Sequence, residues 1–192
     1  MSFDLKCRCG QVHLRLSPAR AGIGSHALCY CKDCRAVAKH LGADHMIGPR
    51  GRIRVFQTRP DRVTLEAGGE HIACLQLREG GMHRWYAACC NTPLANSFAK
   101  PSLPFVALVL GEREDADCLG PVIGVGNAAS ALPGDGETPK DRGIRRLIWR
   151  FLRRTVSGRM VGAAARSPFL QGGAPIAEAR VLSDAERRLA RG

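Results

Sequence analysis

The sequence predicts a mainly β zinc-binding domain followed by a partly helical extension. Three observations carry that reading. Up to about residue 115, short alternating or apolar runs recur between Gly/Pro turns, the pattern of small β domains. Cys29-Tyr30-Cys31-Lys32-Asp33-Cys34 places three thiols in a C-x-C-x-x-C spacing, which a turn can aim at one metal ion. Beyond residue 140 the apolar period changes to that of an amphipathic helix.

The elements follow in order. Cys7-Arg8-Cys9-Gly10 is a two-thiol turn, its glycine permitting the tight backbone that lets both sulfurs face one ion. Gln11 to Leu16 alternates, with Val12, Leu14 and Leu16 on one face of a half-buried strand. Pro18 to Gly24 is a loop, and Arg35 to Leu41 favours a short helix stopped at Gly42. Ile53 to Gln57 and the run from Val63 are strands. Gly68-Gly69 then predicts a hairpin turn, with Ile72 to Leu77 as the returning strand. Gly80-Gly81 is a second turn. Trp85-Tyr86 leads into Cys89-Cys90-Asn91 and a further turn, and Phe105 to Leu110 is a continuous apolar run that predicts a buried strand. Residues 1–115 are therefore read as one zinc-binding β domain, and 116–192 as a Gly/Pro-rich linker and basic helical extension. In that extension Ile144, Leu147, Ile148, Phe151 and Leu152 share a helix face, Arg142 to Arg154 supply the basic side, and Gly158 is the expected stop. Ser183 with Glu186 has the capping-box spacing for a last helix.

At 192 residues and 45% hydrophobic content the chain can bury a core without disulfide staples, which excludes wholesale disorder. No apolar run is long enough to span a bilayer, and Met1 leads into Ser-Phe-Asp-Leu-Lys without an apolar signal region, so a cytoplasmic setting is expected. There thiols stay reduced, and nine cysteines point to metal or reactivity rather than disulfides. The net charge of +12 lies largely in the arginines beyond residue 140. It suits an anionic membrane, nucleic acid phosphates, or a helix docked within the chain or across a homodimer.

For Cys29, Cys31 and Cys34 the reading is a Zn2+ site with an open fourth position, against a bland alternative of reduced thiols packed as small apolar residues. His26 is a candidate fourth ligand, and Cys74 another. Vicinal Cys89-Cys90 is a candidate redox pair. Arg35 reads as a solvated charge or a handle for an anionic thiol.

The order C-x-C-G, then C-x-C-x-x-C, then an aromatic-rich stretch ending in Cys-Asn-Thr-Pro-Leu resembles the glutathione-dependent formaldehyde-activating (GFA) family, which includes centromere protein V. The match covers roughly the first 100 residues. The resemblance implies an Mss4-like fold of twisted β-sheets and two zinc sites. Cys7, Cys9 and Cys90 match the structural site, and Cys29, Cys31 and Cys34 match the second, open site. It further implies carbon–sulfur lyase chemistry on glutathione or other thiol adducts.

Two departures stand out. The family's late motif is C-x-x-C-G, where this chain has Ala87 and Asn91, with Cys89 directly before Cys90. The structural site then has three outcomes: it is empty, it uses Cys89 in a strained turn, or it recruits Cys74 or Cys118. Tyr30 also stands where the family often has His. The reading from a different class is a non-catalytic, zinc-stabilised binding module. Its basic tail, Arg142–Arg154, would contact nucleic acid, membrane or a protein partner. A fourth protein ligand at the central cluster would favour that module, and an open site the enzyme.

Overall fold

The structure, a computed structural model, describes residues 1–191. It is mainly β, with several sheets and three α-helices. Alternation sets the smallest of the principal sheets. Phe3 and Leu5 in β1 (Phe3–Lys6), and Leu14 and Leu16 in β2 (His13–Leu16), are all buried on one face.

The chain then runs through β3 (Ser25–Cys29), α1 (Lys32–His40), β4 (Ile53–Thr58) and β5 (Val63–Ala67). Next come β6 (Ile72–Gln76), β7 (His83–Ala87), β8 (Thr92–Ser97) and β9 (Val106–Val109). They are followed by β10 (Gly124–Gly126), α2 (Ile144–Met160), the short pair β11 (Leu170–Gln171) and β12 (Ala174–Pro175), β13 (Ala179–Val181) and α3 (Asp184–Arg191). One sheet has the order β1-β2-β5, and the large eight-stranded sheet the order β10-β3-β4-β9-β8-β7-β6-β13.

Both faces of the large sheet are covered, which explains the unbroken apolar run at β9. Leu108 and Phe56 point into a core shared with Leu5, Leu14, Leu16 and Trp85. Val109 and Val55 point the other way, against Val37 and Ala38 of α1 and Leu182 beside α3. A strand buried on both faces has no polar side to alternate with.

Residues beyond 115 supply both edges of that sheet. Gly124–Gly126 pairs parallel to β3, and Ala179–Val181 pairs parallel to β6. Phe169 also reaches the first core, stacking on Trp85 with ring centroids 4.9 Å apart. The segment read as linker and tail thus completes the sheet of the first 115 residues.

Three local expectations change. The Gly68-Gly69 turn is a crossover rather than a hairpin: β5 pairs with β2, whereas β6 pairs antiparallel with β7 through the Gly80-Gly81 turn. Gly68 at φ +78 lies so close to the Gln11 carbonyl that a Cβ would sit 2.3 Å from it. The turn is therefore wedged against the β1–β2 loop while the chain changes sheets.

The helix stop at Gly158 is also displaced. α2 continues to Met160, and the left-handed glycine beyond its end is Gly162 at φ +63. Gly158 is buried against Pro104, where a Cβ would approach within 2.8 Å. The helix also comes close to the rest of the protein at Gly124, beneath Leu147. Leu147 and Phe151 face the protein, while Ile148 and Leu152 face solvent. Among the described residues no helix is long and apolar enough to cross a membrane.

Candidate metal centres

The first centre joins two turns. Cys7 and Cys9 lie in the β1–β2 loop, folded by bonds from Gly10 N to Cys7 O and from Cys7 N to Val12 O, both 3.0 Å. Cys89 and Cys90 lie in the β7–β8 turn, where Asn91 takes the left-handed conformation at φ 54. The four sulfurs converge within 4.8 Å of one another. Cys9 lies 3.3 Å from Cys89, Cys7 lies 3.5 Å from Cys9 and 3.9 Å from Cys89, and Cys89 lies 3.9 Å from Cys90. Thiolates about 2.3 Å from a common tetrahedral ion sit about 3.8 Å apart, so the group fits one ion.

Of the outcomes left open by the sequence, the structure brings in Cys89. Cys74 is buried in β6, its thiol pushed up to about 12 by burial, and Cys118 is exposed in the turn at Glu114–Leu119. Neither joins a cluster. Ala87 is fully buried in the core and supplies no ligand atom.

Polar neighbours tune this centre. Burial raises Cys7 and carries Cys89 to about 12. Burial also acts to raise Cys90, but hydrogen bonding from the Thr92 hydroxyl, the Cys9 backbone and the neighbouring thiols outweighs it and lowers Cys90 to about 6. Thr92 Oγ1, 3.1 Å from Cys90 Sγ, also accepts from Arg8 N at 3.1 Å and so ties the two turns together.

The second centre is built at a strand-to-helix junction. Cys29 ends β3, Cys31 is the N-cap of α1, and Cys34 is in its first turn. The three sulfurs also lie within 4.8 Å of one another. Cys31 Sγ accepts from Cys34 N at 3.3 Å, and Cys34 Sγ is 3.8 Å from Cys29 Sγ. The exposed amides of a helix N-terminus favour thiolate charge. Hydrogen bonds from Cys31 and Cys34 hold Cys29 down at about 3, while the same contacts raise Cys31 and raise Cys34 further. Cys29 is thus the sulfur these contacts favour as the thiolate, and an ion bound by all three would displace the protons of the other two.

Two side chains that sequence reasoning missed complete the surroundings. Arg84 Nη1 donates to Cys34 Sγ at 3.8 Å, and Asn127 Nδ2 donates to Cys29 Sγ at 3.7 Å. They reach the cluster from β7 and from the turn after β10, and no local spacing relates them to it. Among the described residues no fourth His, Cys, Asp or Glu joins the three sulfurs. His26 is committed elsewhere: Nδ1 donates to Gly120 O at 2.7 Å, and Nε2 accepts from Arg54 Nε at 2.7 Å. Arg35 is a buried clamp, donating from Nη1 to the carbonyls of Tyr30 and Ser130, each at 2.8 Å.

Two cysteine groups could therefore hold a metal ion. Residues 2–180 match the model of a family of unknown function, DUF6151. The chain belongs to DUF6151. No curated protein matches this DUF6151 chain. It is similar to a crystal structure of a Rhodobacter sphaeroides protein from structural genomics, with 18% identity and a TM-score of 0.43 over 62% of this chain and 97% of that one.

Proposed function

We propose that both centres bind zinc and that the Cys29, Cys31 and Cys34 centre acts on thiol adducts of the glutathione type. All-sulfur donor sets of this geometry favour zinc over hard cations. The observation that carries the proposal is the convergence of three thiols with no fourth protein ligand among the described residues. An open site of that kind supports the enzyme reading over a closed structural module.

Zinc bound there would lower the pKa of a thiol or water in the open position. The chain's own groups set the charge around it. Arg84 offsets the negative charge of the sulfurs, Asn127 orients Cys29, and Cys31 fixes the start of α1. Arg35 holds the Tyr30 and Ser130 backbones, and so the shape of the rim. Motif order further supports a GFA-like, Mss4-like domain with carbon–sulfur lyase activity.

The test is metal content per chain in protein purified without added metal or chelator, beside Cys31→Ser, with each protein then assayed on a glutathione–formaldehyde adduct. We expect about two zinc ions in the parent, about one in Cys31→Ser, and turnover only in the parent. An unchanged metal content in the variant removes the central site. A loaded parent that leaves the adduct intact removes the substrate assignment while keeping the metal sites.

A further inference from the structure

Among the described residues the outward face of α2 has no partner in the chain. Ile148, Trp149, Leu152, Val156 and Met160 are 53%, 63%, 48%, 62% and 82% exposed. At 3.6 residues per turn they occupy about 120° of the helix circumference. The exposed residues Arg145, Arg153 and Arg159 interleave with them, and α2 contains no acidic residue.

This face lines an open concavity of about 540 Å³ through Trp149, Leu152, Val156 and Met160, and Arg62, Arg150 and Arg154 line it as well. Among the described residues the three guanidinium groups donate to neutral acceptors in the 23–25 segment. Arg62 donates to Ile23 O, Arg150 to Gly24 O at 3.0 Å, and Arg154 to Ser25 Oγ at 2.8 Å. Nε and Nη2 of Arg154 are buried and find no hydrogen-bond partner among the described residues. Burial, together with repulsion from Arg150 and Arg62, lowers Arg154 to about 10. Asp61, the acid adjacent to Arg62, is already paired with Arg59 at 2.7 Å and Arg166 at 3.4 Å. Among the described residues no carboxylate lines the concavity, which joins arginines to apolar side chains.

We propose that α2 and the adjoining 22–25 segment attach the protein to the surface of an anionic phospholipid bilayer. Lipid phosphates would pair with Arg62, Arg150 and Arg154, while the outward stripe enters the headgroup–acyl boundary. An in-plane helix with interleaved arginines and a flanking tryptophan suits that depth. Nucleic acid would supply the phosphates but leave the aliphatic stripe in water. A second copy would set arginine against arginine, because the face carries no acid. The proposal is independent of the metal reading.

The experiment is flotation of the full chain with vesicles of phosphatidylcholine alone, or of phosphatidylcholine mixed with phosphatidylglycerol, while tryptophan emission is followed. We expect binding about a hundredfold tighter to the anionic vesicles, weakening with salt, with a blue shift that Trp149→Phe removes. Leu152→Glu with Val156→Glu should abolish binding while leaving circular dichroism and metal content unchanged. Arg150→Gln should weaken the anionic preference more than the residual binding to neutral lipid.

Equal or absent binding of the parent to both vesicle types overturns the proposal, whatever the variants do. It is likewise overturned if vesicles fail to bind and one of three things is seen instead: millimolar inorganic phosphate raises Tm, duplex DNA is retained, or a dimer forms that the double variant dissolves. The occupant would then be a small anion, a nucleic acid or a second copy.

Discussion

Cys9 Sγ lies 3.3 Å from Cys89 Sγ, across 80 positions of sequence, so the turn after β1 and the turn after β7 meet at one point. If that point holds an ion, Cys89 is a full ligand and Ala87 is irrelevant to it. Cys89→Ser should lower the metal content by about one ion per chain and cost several kcal/mol, as loss of a structural ligand does. Cys74→Ser and Cys118→Ser should leave the metal content unchanged. Metal analysis of the three variants decides this, and retained metal in Cys89→Ser would remove the assignment.

At the other centre Arg84 approaches Cys34 from β7, and Asn127 approaches Cys29 from the turn after β10. Outer-shell donors of this kind hold ligands in place and balance their charge. Arg84→Met and Asn127→Ala should each weaken metal affinity at the central site about 10–100-fold. Competition with a chromophoric chelator measures it, and the four-cysteine site serves as the internal control. Thr92→Val reverses the pattern, weakening the first site and sparing the second.

These relationships show which features were legible in the sequence. Local spacing carried the central thiols, the alternation of β2 and the buried run at β9. It left the structural site open among an empty site, Cys89, and Cys74 or Cys118, because the meeting of the two distant turns that brings Cys89 beside Cys7 and Cys9 leaves no mark in local spacing. It misjudged the expected hairpin at Gly68-Gly69, because sheet pairing is decided by partners far along the chain. The strands Gly124–Gly126 and Ala179–Val181 are too short to show a period, so the edges of the large sheet left no sequence signal. Arg35 was read as a solvated charge or a handle for an anionic thiol, yet its guanidinium is buried and donates to two carbonyls.

His26 supplies a pH dependence. Burial is the main influence lowering its pKa, the Gly120 carbonyl works against it, and Arg54 lowers it further, with Asp117 opposing. The folded state therefore resists protonation that the unfolded chain accepts near about 6.5. The resulting stability is complete above that value and declines as pH falls through it toward the folded pKa. Tm should drop between about pH 7 and pH 5, and His26→Gln should flatten that slope. His83, also lowered by burial, keeps a residual slope in the variant. Parallel profiles for parent and variant would exclude His26 as a contributor.

Gly158 sets two effects of opposite sign against each other. Alanine in a helix interior gains about 1 kcal/mol over glycine. Here, however, the new Cβ would meet Pro104 Cγ at 2.8 Å and Cβ at 2.9 Å, and a proline ring cannot rotate away. Overpacking of a fixed contact costs about 1–3 kcal/mol, so the clash outweighs the propensity gain. Gly158→Ala should lower Tm, and Pro104→Ala in the same chain should return much of the loss. The same seat positions Phe151, whose ring lies 5.6 Å from Phe105 and 6.1 Å from Phe98, so the variant should also loosen α2. Amide exchange along Arg150–Ser157 should accelerate in Gly158→Ala alone and slow again in the double variant. A Tm at or above the parent's would mean that Pro104 yields and that the close approach does not hold the helix.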